Sequence, residues 1–176
     1  AGVAGVAWGT RIMPIRALGQ FGTTYDILQG VRYAAGLPND SNTVPVQRAD
    51  IINLSLGCEG SCPCGSQSQQ VYTMARNAGV VIVASAGNDS SPLPDDPAWC
   101  DGVVSVSAVD LERKLSWYSN FGRKTDVAAP GGDMSVDKDG DGLGDGVFST
   151  AGDDSSGSIR FGYRFSQGTS MAAPHV

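Results

Sequence analysis

Apolar residues in this chain follow two rhythms. Some come as short continuous runs: "RIMPIRAL" (11–18), "ADIINLSLG" (49–57) and "GVVIVASAGN" (79–88), then "DGVVSVSAV" (101–109) and "TDVAAPG" (125–131). A run of this length bounded by Gly, Pro or Asp predicts a strand covered on both faces. Pro14 inside the first run suggests an edge position or a bulge. Two other stretches repeat at helical spacing. In 22–36 the recurring positions are Ile27, Val31 and Ala34 or Ala35, with Thr23 and Asp26 as a capping-box start and Gly36 as the stop. In 66–78 they are Val71, Met74, Ala75 and Ala78. Strand, helix, strand at these spacings implies βαβ units, right-handed crossovers and a parallel sheet.

After Gly131 the pattern changes. Residues 133–158 are rich in Gly, Asp and Ser, which predicts loops and a hairpin, and "FGYRFSQ" (161–167) reads as a last short strand. No internal repeat is visible, and 176 residues suffice for one domain with a core. The expected class is therefore α/β, a three-layer, mostly parallel sheet with helices on both faces. The chain opens without a charged leader segment and stops inside an apparent helix, so both ends read as truncated.

Charge narrows the function classes. The net charge is −6, from 12 basic and 18 acidic residues. Such a surface repels phosphate backbones and argues against nucleic acid. No apolar run approaches the ~20 residues that span a bilayer. The glycines of "GVAGVAWG" have the wrong spacing for a dinucleotide fingerprint. The sequons at Asn39, Asn53 and Asn88 carry little weight, since such triplets arise by chance. Four cysteines, Cys58, Cys62, Cys64 and Cys100, have a spacing poor for zinc. Their even number favours two disulfides and an oxidising compartment.

The candidate chemistry lies near the end of the chain, in "GTSMAAPHV" (168–176). Ser170 sits where a helix starts, so its own N–H is free of an earlier turn and it can act as a nucleophile as well as a cap. His175 is the only histidine in the chain. Five residues along a helix turn the side chain about 140° away at ~3.6 residues per turn, so His175 is expected to be structural. Asn88 closes the strand "VIVASAGN", at the carboxyl end of a parallel sheet where functional groups gather. Its carboxamide can donate to a developing oxyanion. Ser55, Leu56 and Gly57 end the neighbouring strand and offer backbone for pairing with an extended peptide.

Taken together, "INLSLG", "VIVASAGND", "VVSVSAVD", "YSNFG", "DVAAPGG" and "GTSMAAPHV" resemble the subtilisin-like serine proteases, in that family's order and over most of the chain. The resemblance implies that Ser170 is the nucleophile and Asn88 the oxyanion donor. It also implies that Ser55, Leu56 and Gly57 bind substrate backbone. Ala84, Ser85, Ala86 and Gly87 then wall the pocket for the side chain before the cut. It implies the pairing Cys64–Cys100, leaving Cys58–Cys62. It further implies a secreted endopeptidase with an N-terminal propeptide and a protein or peptide substrate. In that family the triad runs Asp, His, Ser along the chain. The Asp and His motifs are missing here, so residues 1–176 are expected to form a partial catalytic domain, inactive alone for want of its general base.

"DKDGDGLGD" (137–145) fits none of this. Asp137, Asp139, Asp141 and Asp145, with the Leu143 carbonyl, follow the front of an EF-hand-type loop and suggest structural Ca2+. The twelfth place is Phe148 instead of Glu, so Asp133 or Asp153 is a possible extra ligand. The loop also supports a competing reading, a non-catalytic calcium-binding extracellular module.

Overall fold

A computed structural model describes residues 5–19, 22–58, 60 and 62–176; part of the opening glycine-rich stretch lies outside them. Helix α1 is Thr24–Ala34. Thr23 accepts from the Asp26 amide, and the Asp26 carboxylate accepts from the Thr23 amide at 2.8 Å, which closes the capping box. The Thr23 hydroxyl, which also donates to that carboxylate at 2.7 Å, and then the Thr23 amide hold the Asp26 carboxyl below its ordinary value. At the other end, Leu37 N–H reaches the Arg32 carbonyl and Gly36 N–H reaches that of Tyr33. This is a Schellman motif, and it requires the φ of +70° at Gly36.

The strands are β1 (Ile51–Leu54), β2 (Val81–Ser85), β3 (Val104–Val109) and β4 (Val127–Pro130). They form one parallel sheet in the order β1-β2-β3-β4. Helix α2 (Ser66–Asn77) crosses from β1 to β2. The strand runs alternate as the pleat demands. Ile52, Leu54, Ile82 and Ala84 pack under α1 and α2 with Leu28, Val31, Val71 and Tyr72. Val83, Val106, Ala108 and Ala129 face the other way, against Tyr118 and the short helix α3 introduced below. Helices thus cover both faces, and the three-layer α/β architecture expected from the sequence is present.

The rest of the chain adds a hairpin. Strands β5 (Val147–Asp153) and β6 (Arg160–Ser166) pair antiparallel, apart from the main sheet. Helix α3 (Thr169–Ala172) follows directly and runs into a 3-10 turn, Ala173–His175.

One expected element is absent. Residues 11–18 form no strand, and Ile12 is 85% exposed. A strand needs a hydrogen-bonded neighbour, and Pro14 lacks a donor to offer one. The segment instead lies near α1, where Ile15 and Ala17 come close to Gly30. The buried face of α2 is also shifted, to Ser68, Val71, Tyr72 and Ala75, with Met74 and Ala78 only partly buried.

Candidate active site

The carboxyl ends of β1 and β2 and the start of α3 meet at one place. Asn88 lies three residues beyond β2. Its Oδ1 accepts from the Thr169 amide at 2.9 Å and from Thr169 Oγ1 at 3.0 Å. A backbone N–H can only donate, so these bonds fix which end of the Asn88 carboxamide is oxygen. The NH2 end is left for another acceptor. Thr169 is wholly buried, and its Oγ1 also accepts from the Gly87 amide at 3.2 Å. The next residue is Ser170, half-buried, in the first turn of α3, where backbone N–H groups have no partner within the helix.

Ser55 closes the site from the β1 side. Its Oγ donates to the Ser170 carbonyl at 2.8 Å and accepts from Asn53 Nδ2 at 2.9 Å. Ser170 Oγ in turn lies 3.4 Å from the Ser55 carbonyl oxygen. Beyond Ser55 the chain runs on through half-buried Leu56 and exposed Gly57 without a strand partner. Ser85 Oγ donates to the Leu56 carbonyl at 3.3 Å and so ties this strip to β2. Ala84, Ser85 and Ala86 are buried beneath it.

Gly168 turns the chain into α3 at φ +144°, ψ 160°. Its N–H donates to the Gly131 carbonyl at 3.0 Å and to Tyr118 Oη at 2.9 Å. Tyr118 Oη donates to the carbonyls of Gly131 and Gly132. Burial pushes this phenol's pKa up, which keeps the proton available for donation. The histidine is engaged elsewhere: His175 Nδ1 donates to the Met171 carbonyl at 2.8 Å, within its own turn.

Several contributors were not legible as site residues. Asn120 is wholly buried, and its Oδ1 accepts from the amides of Asp89 and Ser91. Its Nδ2 donates to the Ala86 carbonyl and to Asp95. Thr169 and Tyr118 were also missed. Their only signal was membership of stretches that carry the family resemblance, Tyr118 and Asn120 in "YSNFG" and Thr169 in "GTSMAAPHV", which gave them no role of their own.

The cysteines form Cys58–Cys62 and Cys64–Cys100. In the acidic loop, carboxylate oxygens of Asp137, Asp139 and Asp145 lie within 4.8 Å of one another. Asp141 stands outside this group and accepts from the Leu143 amide. Asp133 is engaged by Ser135, and Asp153 by Ser155.

The subtilase family profile matches residues 1–176. The chain belongs to the subtilase family. It is 37% identical over 132 residues to an extracellular protease of Xanthomonas campestris pv. campestris, covering 74% of this chain and 22% of that protein. A thermophilic serine proteinase of Bacillus sp. (strain AK1) is 41% identical over 133 residues, covering 74% of this chain and 30% of that one. A solved protease structure from Pseudoalteromonas arctica superposes with a TM-score of 0.87 at 42% identity, over 99% of this chain and 50% of that one. The chain thus spans less than a third of these two curated relatives. Among the described residues no helix is long and apolar enough to cross a membrane.

Proposed function

We propose that this subtilase chain carries the nucleophile, the oxyanion hole and one substrate strand of a secreted serine endopeptidase. The supporting observation is the lock between Asn88 Oδ1 and the Thr169 amide, one residue from Ser170. In the complete enzyme Ser170 Oγ attacks the scissile carbonyl carbon while a histidine outside these residues takes its proton. An aspartate, also outside, orients that histidine. The new oxyanion accepts from Asn88 Nδ2 and from the Ser170 N–H. Collapse of the intermediate expels the amine, which leaves with the histidine's proton, and water then hydrolyses the acyl-serine. The substrate backbone lies along Ser55, Leu56 and Gly57, with Ala84–Gly87 walling the pocket before the cut. Export to an oxidising exterior accords with the two disulfides, and membership of the subtilase family suggests a propeptide in the precursor.

A fluorophosphonate probe tests this. In the complete protease Ser170 should label stoichiometrically and Ser170→Ala should abolish both labelling and proteolysis. Residues 1–176 alone should label slowly or not at all, because the base is supplied elsewhere. Rapid labelling of the isolated chain would contradict this division of roles. Asn88→Ala should lower kcat by about 100- to 1,000-fold, a magnitude taken from subtilisin itself, a relative, and not from this geometry.

We further propose that Asp137, Asp139 and Asp145 hold a structural Ca2+, with Asp141 and the Leu143 carbonyl closing on it. Three carboxylates this close repel unless a cation lies between them. Calorimetric titration with Ca2+ should show one site, abolished by Asp139→Ala.

A further inference from the structure

Asn88 sits in a loop, yet its carboxamide must be held to within a fraction of an ångström to act on an oxyanion. Thr169 fixes one end of that side chain. The backbone beneath it is fixed from the opposite side by a residue that touches neither nucleophile nor substrate strip. Asn120 donates its own N–H to the Gly87 carbonyl at 3.0 Å. Its Oδ1 accepts from the Asp89 amide at 2.9 Å and from the Ser91 amide at 3.0 Å. Its Nδ2 donates to the Ala86 carbonyl at 3.0 Å and to Asp95 Oδ2 at 3.3 Å. The Gly87 carbonyl and the Asp89 N–H are the backbone groups immediately either side of Asn88, and both are bonded to this one side chain and its peptide.

The clamp is itself anchored. The Asn120 carbonyl accepts from Ser107 Oγ at 2.8 Å on β3 and from Ser119 Oγ at 2.9 Å. Asn120 is 0% exposed, so water offers no substitute for a lost bond. The approach is close enough that a Cβ on Gly87 would meet Asn120 Nδ2 at 2.3 Å and Asp95 Oδ2 at 2.2 Å. The glycine before Asn88, at φ +111°, is thereby explained by Asn120. Two residues earlier on the same segment, Tyr118 grips Gly168 and the 131–132 turn. Residues 118–120, between β3 and β4, therefore reach both the oxyanion loop and the turn that presents the nucleophile.

The geometry points to Asn120 as a positioning residue for the oxyanion hole: it sets the Asn88 carboxamide through the peptides on either side and contacts no reacting atom. This inference rests on the reading of Asn88 as the oxyanion donor. It is tested in the complete protease with four proteins: the parent, Asn88→Ala, Asn120→Ala and the double variant. Asn120→Ala should lower kcat by about 10- to 100-fold with KM changed less than about 3-fold, since a ~1 Å misplacement costs on that scale. Affinity for a peptide boronate, which mimics the tetrahedral intermediate, should fall in parallel. In the Asn88→Ala background the same substitution should cost less than about 2-fold, because there is no carboxamide left to aim. Asn120→Ser is smaller but leaves a hydroxyl in the buried site, and it sets no second carboxylate beside Asp95 Oδ2. It should show an intermediate kcat, and it carries the same cycle should the alanine variant not fold. Equal losses with and without Asn88 would overturn the inference and leave Asn120 a merely structural residue, as would an effect confined to KM. If Asn88→Ala itself leaves kcat unchanged, the reading of Asn88 fails instead.

Discussion

The body from β1 to β4 and the stretch from Asp133 to Ser166 are held together by different forces. In the body, Ile82, Ala84, Val106 and Ala108 are fully buried, and both faces of the sheet are covered. In the second region, the hairpin buries little: Phe161 on β6 is 88% exposed and Ile159, just before it, 64%. The hairpin relies on its own ladder and on contacts of Phe148 with Tyr163 and Phe165. The acidic loop relies on carboxylate-to-amide bonds and on Lys138. All four cysteines belong to the body. The residues assigned to chemistry are anchored in the body or bonded to it, even Ser170, which follows the hairpin in sequence. Apolar burial thus fixes the sheet, and hydrogen bonds buried against it fix the geometry of the site, while the peripheral loop answers to charge.

The sharpest way to break this contrast is to cut the body's long staple. Cys64–Cys100 spans 36 positions. Chain-entropy reasoning puts the loss on Cys64→Ser with Cys100→Ser at about 4 kcal/mol, against roughly 2 for the short Cys58–Cys62 loop. Urea unfolding of both pairs measures the difference. A comparable effect is expected when one side chain from each region is compared. Ile82→Ala should cost about 2–5 kcal/mol by creating a cavity in the sheet. Phe161→Ala, on the exposed hairpin, should stay within about 0.5 kcal/mol. Equal losses would mean that the hairpin is packed against something that stabilises it.

Removing the Ca2+ proposed for the acidic loop sharpens the comparison differently. With chelator, limited proteolysis should cut first within 137–145, while amide exchange in β2 and β3 stays slow. Loss of protection in the sheet at the same rate would show that the loop and the body open as one unit.

How much of this was legible in the sequence follows from the same division. The buried strands β1 to β4 announce themselves, because a sheet covered on both faces demands continuous apolar runs. The α1 caps were legible because Thr23, Asp26 and Gly36 each answer a local backbone need. Residues 11–18 misled, since an apolar run predicts burial but cannot reveal whether a neighbouring strand is there to pair with. Ser170 and Asn88 were visible through their motifs. Asn120, Thr169 and Tyr118 stand in the same quoted motifs, but their roles were not legible, because their partners lie 31, 81 and 50 positions away and no local period records a bond across the fold.

The smallest effect concerns Lys138, which lies between Asp137 and Asp139 in sequence but turns away from them. Its Nζ bonds Asp110 at 2.6 Å and Glu112 at 2.9 Å, fastening the acidic loop to the turn after β3. The Lys138 bonds hold both carboxyls below their ordinary range and raise the pKa of the ammonium. For the lowered carboxyls, the stabilisation is complete above their unfolded values, near pH 4, and is lost as pH falls through the folded ones. For the raised lysine, it is complete below about pH 10 and lost as pH rises further. Between these limits it should be flat. Lys138→Met should therefore speed proteolysis of the loop at pH 7, and the difference from the parent should shrink in 1 M salt and disappear as the pH falls through the lowered carboxyl values. Because the body is held by apolar contacts, the same substitution should leave exchange in β2 unchanged at every pH. A Lys138→Met effect that persists undiminished in strong acid would show that the methylenes of Lys138, and not its charge, hold the loop in place.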